Sequence, residues 1–199
     1  MRPKAKKQKK DPGEPSYFIL DSISSKMMLL MPPPQPSLRD RWMGGHRFSK
    51  PIEEPVVVTI RPRHENGDLL PFFGTACLMS TGFAEALAQC GVDNLDLYDA
   101  VLRSEDGSVE YGGYKAFNLV GIRKAADLEA TVFNDPPGTR MVDASIESLA
   151  IDPDKAGGVL MFRLAEYVGA VVVHRKVKEF IEARDFPGIV FREPSAFVS

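Results

Sequence analysis

Cysteine, histidine and tryptophan are all scarce here: two, three and one in 199 residues. Cys77 and Cys90 are too few for a disulfide framework and point to free thiols in a reducing compartment, one bridge being the remaining option. His46, His64 and His174 are too scattered for a spaced metal motif, and no histidine lies between the two cysteines. No glycine-rich phosphate loop follows a strand, and no G-x-S-x-G elbow occurs. No apolar run approaches the roughly 18 residues of a membrane helix. The opening basic residues are followed by "DPGEPS", where a secretory leader would place its apolar stretch. These absences predict a cytoplasmic protein with no metal, no cofactor, no membrane contact and no catalytic constellation.

What is present is an ordinary globular composition, 44% hydrophobic and 26% charged, enough for one domain with a real core. The net charge of −2 hides an asymmetry. Residues 1–10 carry six basic residues and no acid, whereas residues 93–154 carry thirteen acids against five bases. The first segment, residues 1–15, lacks an anchoring apolar side chain and is expected to be a disordered basic tail on a single domain spanning 16–199. An acidic body argues against a nucleic-acid-binding domain.

Strand signals outnumber helix signals and predict an α+β fold built on a mixed or antiparallel twisted sheet. "YFIL" (Tyr17–Leu20) and "MMLLM" (Met27–Met31) read as short strands, and the proline-rich stretch after them as an ordered loop anchored by Trp42. "CLMS" ends at Ser80, a good helix cap, before "TGFAEALAQC" with Phe83, Leu87 and Cys90 on one face. Near the other end "VVVH" precedes "RKVKEFIEARDF", with Val177, Phe180 and Ile181 as its expected buried stripe. The two strand–helix–strand units align at a constant offset of 94 residues, Leu87 on Ile181 and Leu95 on Ile189. They are either two similar lobes or two edges of one sheet.

Within "YKAFNLVG" (Tyr114–Gly121) an asparagine interrupts a buried strand. An unpaired buried amide costs roughly 1–3 kcal/mol, so Asn118 needs partners. Either it holds the fold together or it marks a site. Asp93, Asp96 and Asp99 look like a metal string, but alternate strand positions face opposite sides, so a solvated acidic edge is the better reading. His174, at the station matching Ser80, is expected to act locally.

From about Leu78 to Glu193 the chain resembles the eleventh family of the numbered bacterial polymorphic-toxin immunity proteins. The resemblance is carried by "GVDNLDLY", by Tyr114, Asn118 and Gly121, by Asp127-Leu128, by Phe162-Arg163, and by the closing "VVVHRKVKEFIEARDFPGIVF". Asp99 and Lys124 depart from the family pattern, which often has a proline and an acid at those places. The resemblance implies structural roles for Asn118, Gly121, Asp127, Arg163 and Gly188, with Arg163 set against Asp127 or Glu166. It also implies a binding inhibitor of a cognate toxin rather than an enzyme. Were that toxin a nuclease, its basic site would suit an acidic face containing Asp96, Asp99, Glu105 and Asp106. The competing readings are an enzyme centred on His174 with Glu166 or Asp185, and an interaction module using the basic tail on nucleic acid.

Overall fold

Two sheets, each carrying one helix, are built from strands that cross between the halves of the sequence. The computed structural model describes residues 15–134 and 144–199. The basic stretch and most of the loop around "NDPPGT" lie outside those residues. In chain order the elements are β1 (Tyr17–Ser22), β2 (Val56–Ile60), β3 (Phe72–Phe73), β4 (Leu78–Ser80), α1 (Thr81–Cys90), β5 (Leu95–Ser104), β6 (Glu110–Leu119), β7 (Ile122–Arg123), β8 (Val132–Phe133), β9 (Ile146–Ser148), α2 (Pro153–Ala156), β10 (Met161–Leu164), β11 (Val171–His174), α3 (Arg175–Glu182) and β12 (Ile189–Arg192). Of the two five-stranded sheets, one has the order β12-β1-β11-β10-β7 and the other β2-β5-β6-β4-β3, and β8 pairs with β9 in a separate two-stranded sheet. The architecture is α+β.

Each strand–helix–strand unit occupies its own sheet. In both, a third strand lies antiparallel between the unit's two strands, β6 in one and β1 in the other. The registers correspond. Tyr114 faces Ser80 and Leu119 faces Leu95, while Tyr17 faces His174 and Ser22 faces Ile189. A hairpin strand continues the likeness, Phe73 opposite Leu78 and Phe162 opposite Val172. The two four-stranded cores therefore share order, direction and register. Their central strands are exchanged, because β1 precedes the first unit in sequence yet completes the second.

Local chemistry sets the helix ends. Ser80 Oγ accepts from Phe83 N–H at 3.2 Å, and Gly91 closes α1 in the left-handed region. His174 Nδ1 accepts from Lys176 N–H at 3.1 Å and starts α3. The apolar stripes of both helices, Phe83 and Leu87 with Val177 and Ile181, are buried in one core between the sheets. β1 feeds two cores by alternation: Phe18 and Leu20 enter the shared one, while Tyr17 and Ile19 face a second formed with Ile146, Leu149 and Phe162. The expected buried stripe is corrected at Phe180, which is only half-buried and is covered by the Arg184 guanidinium over its ring.

One expected strand is corrected. "MMLLM" makes only isolated bridges, Met27 with Asp68 and Leu30 with Ile60. Prolines 32, 33, 34 and 36 follow at once, and without N–H groups they cannot extend a ladder.

Candidate partner-binding edge

The outward face of the β5–β6 sheet is covered by the loop of residues 37–50, and polar contacts hold that loop in place. Trp42, the chain's single tryptophan, is 1% exposed; its indole Nε1–H donates to Pro34 O at 2.8 Å. Its ring stands edge-on to Phe48 and Tyr98, which stack on each other. Asp40 organises the loop from within. Ser49 donates both its N–H and its hydroxyl to the Asp40 carboxylate, and His46 Nε2 lies 3.5 Å from the other oxygen. The Ser49 hydroxyl bond, outweighing desolvation, holds this carboxyl below the usual range.

Asn118 fastens the loop to the sheet. Fully buried, it donates through Nδ2 to His46 O at 2.9 Å. Gly121, three residues on, donates its N–H to Gly45 O at 2.8 Å from a φ of +112°, a backbone state that glycine enters without cost. Gly45 and His46 are thus held by one main-chain and one side-chain donor.

The four acids expected to form one edge are divided by the strand. Asp96 lies on the loop side of β5, where Arg47 pairs with it and Asn118 Nδ2 reaches it at 3.5 Å. Asp99, on the opposite face, is well exposed and pairs with Lys115 at 2.5 Å. Glu105 and Asp106 sit exposed in the turn joining β5 to β6. Asp106 is part of the turn itself: its carboxylate accepts from Ser104 Oγ, Ser108 N–H and Ser108 Oγ, which bring its pKa down to about 2.

The residues given structural parts are dispersed through the fold. Asp127 Oδ1 accepts from Glu129 N–H at 3.0 Å and shapes the turn after β7. Gly188, at φ +76°, leaves no room for a Cβ, which would meet Leu70 Cδ2 at 2.7 Å and Ile23 O at 2.8 Å. Arg163 corrects an expectation: among the described residues it forms no ion pair with Asp127 or Glu166. Fully buried in β10, it donates instead to Val168 O at 2.9 Å in the turn of its own hairpin and reaches across to Gly74 O at 3.5 Å and Cys77 Sγ at 3.2 Å beside the other sheet. Its guanidinium also lies over the Phe117 ring. A charge without a carboxylate partner is spread here over carbonyls, a thiol and a π face. Burial pushes the Cys77 thiol up, against the pull of Arg163.

Asn94 was missed as a site residue, although it stands in "GVDNLDLY". Its Nδ2 donates to Val120 O at 2.7 Å and Met161 O at 2.9 Å, joining the ends of both sheets. An asparagine just before a strand, flanked by Asp93 and Leu95, reads as an ordinary turn residue, so the one available signal was its place in the family motif.

Beside the Trp42 loop the outer side of β5 is open. β2 pairs only with Ala100–Ser104, so among the described residues no strand covers Leu95–Asp99. A trough of about 440 Å³ runs there, lined by Arg47, Phe48, Leu95, Asp96, Leu97 and Tyr98. Among the described residues no three His, Cys, Asp or Glu side chains are placed to hold a metal ion, and no helix is long and apolar enough to cross a membrane. His174, engaged by its own helix and edge-on to Tyr17, is used as a cap.

The class of the molecule comes from its family. The model of the Immunity protein family (Imm11) matches residues 3–195. With nearly the whole chain matched, the protein belongs to that immunity family. No curated protein matches it.

Proposed function

We propose that this protein protects the cell that makes it by binding a cognate toxin and covering the toxin's working surface, with no chemistry of its own. The family match over residues 3–195 carries this reading. Two features support it. The loop and sheet around Trp42 are held by buried polar contacts, which gives a preorganised surface and lowers the ordering cost of association. The exposed carboxylates around β5 (Asp93, Asp99, Glu105, Asp106) and before β2 (Glu53, Glu54) favour a partner with a basic face. A nuclease has such a face, because it must hold phosphates.

The test is co-expression with the toxin encoded beside this gene. Wild type is expected to restore growth, and the purified pair to form a complex. Replacing Asp96, Asp99, Glu105 and Asp106 by their amides is expected to weaken protection, mostly by slowing association. Unchanged protection would remove the acidic face from the reading, and failure of wild type to protect would remove the reading itself.

A further inference from the structure

We propose that the outer edge of β5, from Leu95 to Asp99, is a strand-addition site occupied by an extended, lysine- or arginine-bearing segment of the toxin. This rests on the immunity reading above.

Three contacts fix which way the backbone points. Val120 N–H donates to Asn94 O, which directs residue 94 toward β6. Phe117 N–H donates to Cys77 O on the β4 side, so the facing pair Leu97–Phe117 exchanges no ladder bonds. Asp99 N–H donates to the Glu54 carboxylate, away from β6. Alternation along an antiparallel strand then turns the N–H and C=O of Leu95 and Leu97 outward. Among the described residues nothing pairs with them. An uncovered row of this kind is a template for another strand.

The surroundings select the occupant. Leu97 is 38% exposed beside the outward row and offers an apolar contact. Carboxylates of Glu53, Glu54 and Asp93 are exposed around it with no ion pair among the described residues, while the cations Arg47 and Lys115 are already paired with Asp96 and Asp99. A basic strand gains from this charge. A second copy of β5 laid antiparallel would set acid against acid, which disfavours self-pairing. Of the other outer strands, β12 carries Arg192, which is paired with Asp21.

Amide exchange on the full chain, free and with the toxin domain encoded beside its gene, tests the site. In the free protein the Leu95 and Leu97 amides should exchange fast, while those of Asp96 and Tyr98 are protected by β6. In the complex Leu95 and Leu97 should slow by about tenfold or more. Leu97→Pro deletes one outward donor without touching the β5–β6 ladder, and should bind at least about tenfold more weakly than Leu97→Ala, which keeps it. The wild-type exchange data decide the matter even if Leu97→Pro does not fold. A tight complex with unchanged exchange at Leu95 and Leu97, or with protection at β12 instead, overturns the edge and leaves immunity standing. Association indifferent to ionic strength overturns the basic occupant. Concentration-dependent protection of Leu95 and Leu97 in the free protein overturns the toxin as occupant in favour of a second copy. If wild type neither binds the toxin nor protects cells, the immunity reading falls and takes the edge with it.

Discussion

Ser80 and His174 occupy the same station in the two sheets: each ends a strand opposite a tyrosine and caps the helix that follows with its side chain. The requirement is a single acceptor for an otherwise unpaired N–H in the first turn, which a hydroxyl oxygen or an unprotonated imidazole nitrogen can meet. Alanine at either position should cost about 1 kcal/mol. That corresponds to a fall of roughly 2–4 °C in Tm for a chain of this size. His174→Ser should be close to neutral, since serine does the same work at residue 80. Thermal melts of the three variants check this, and a His174→Ser loss as large as that of His174→Ala would show that the ring's packing on Tyr17 matters more than the cap.

Arg163 is the largest polar commitment in the core. Arg163→Ala should destabilise by roughly 3 kcal/mol or more, through the cavity and the orphaned Val168 carbonyl. Arg163→Met fills most of the volume without a buried charge and should lose much less. Urea titrations at neutral pH give both values. Equal losses would mean that the hydrogen bonds, not the volume, account for the residue.

Much of this architecture was legible as pattern. The Ser80 cap and the helix stripes depend on residue type at short range, where sequence speaks directly. Asn118 was legible for a related reason: a buried amide requires a partner wherever it falls. The identity of that partner, His46 O, was not, because the loop that carries it is 72 residues away. Arg163 was assigned to Asp127 or Glu166, yet it reaches Gly74 and Cys77 across the sheets. How the acids are distributed over the strand was not legible, for a simpler reason. Charge counted along a strand says nothing of the face, and Arg47, distant in sequence, neutralises Asp96.

Tyr114 supplies a pH signature. Buried with its hydroxyl donating to Leu70 O at 3.1 Å, it has a pKa pushed up to about 12 by desolvation. The ordinary phenol value is near 10, so the folded state prefers the neutral ring. Its contribution to stability is therefore complete below about pH 10 and is lost as pH rises toward 12. Absorbance titration of the phenolates should show a step near pH 12 that disappears in Tyr114→Phe. If Tyr114→Phe instead removes a phenolate from a step at ordinary phenol pH, the ring is solvated.

The exchange of β1 and β6 gives the most demanding prediction. Each sheet lacks its central strand unless both halves of the chain are present, because β6 sits between β5 and β4, and β1 between β12 and β11. Cutting at Gly107, in the exposed turn between β5 and β6, yields one fragment with an unfilled slot where β6 belongs and a spare β1, and a second with the reverse. Neither half can bury its core alone, since a sheet missing a central strand leaves two rows of backbone groups unpaired. Separately, the fragments should show no cooperative melt. Mixed in equal amounts they should regain the circular dichroism of the intact protein, with Tm rising with concentration as for any bimolecular fold. Independent folding of either fragment would mean that the two sheets stand without the exchanged strands.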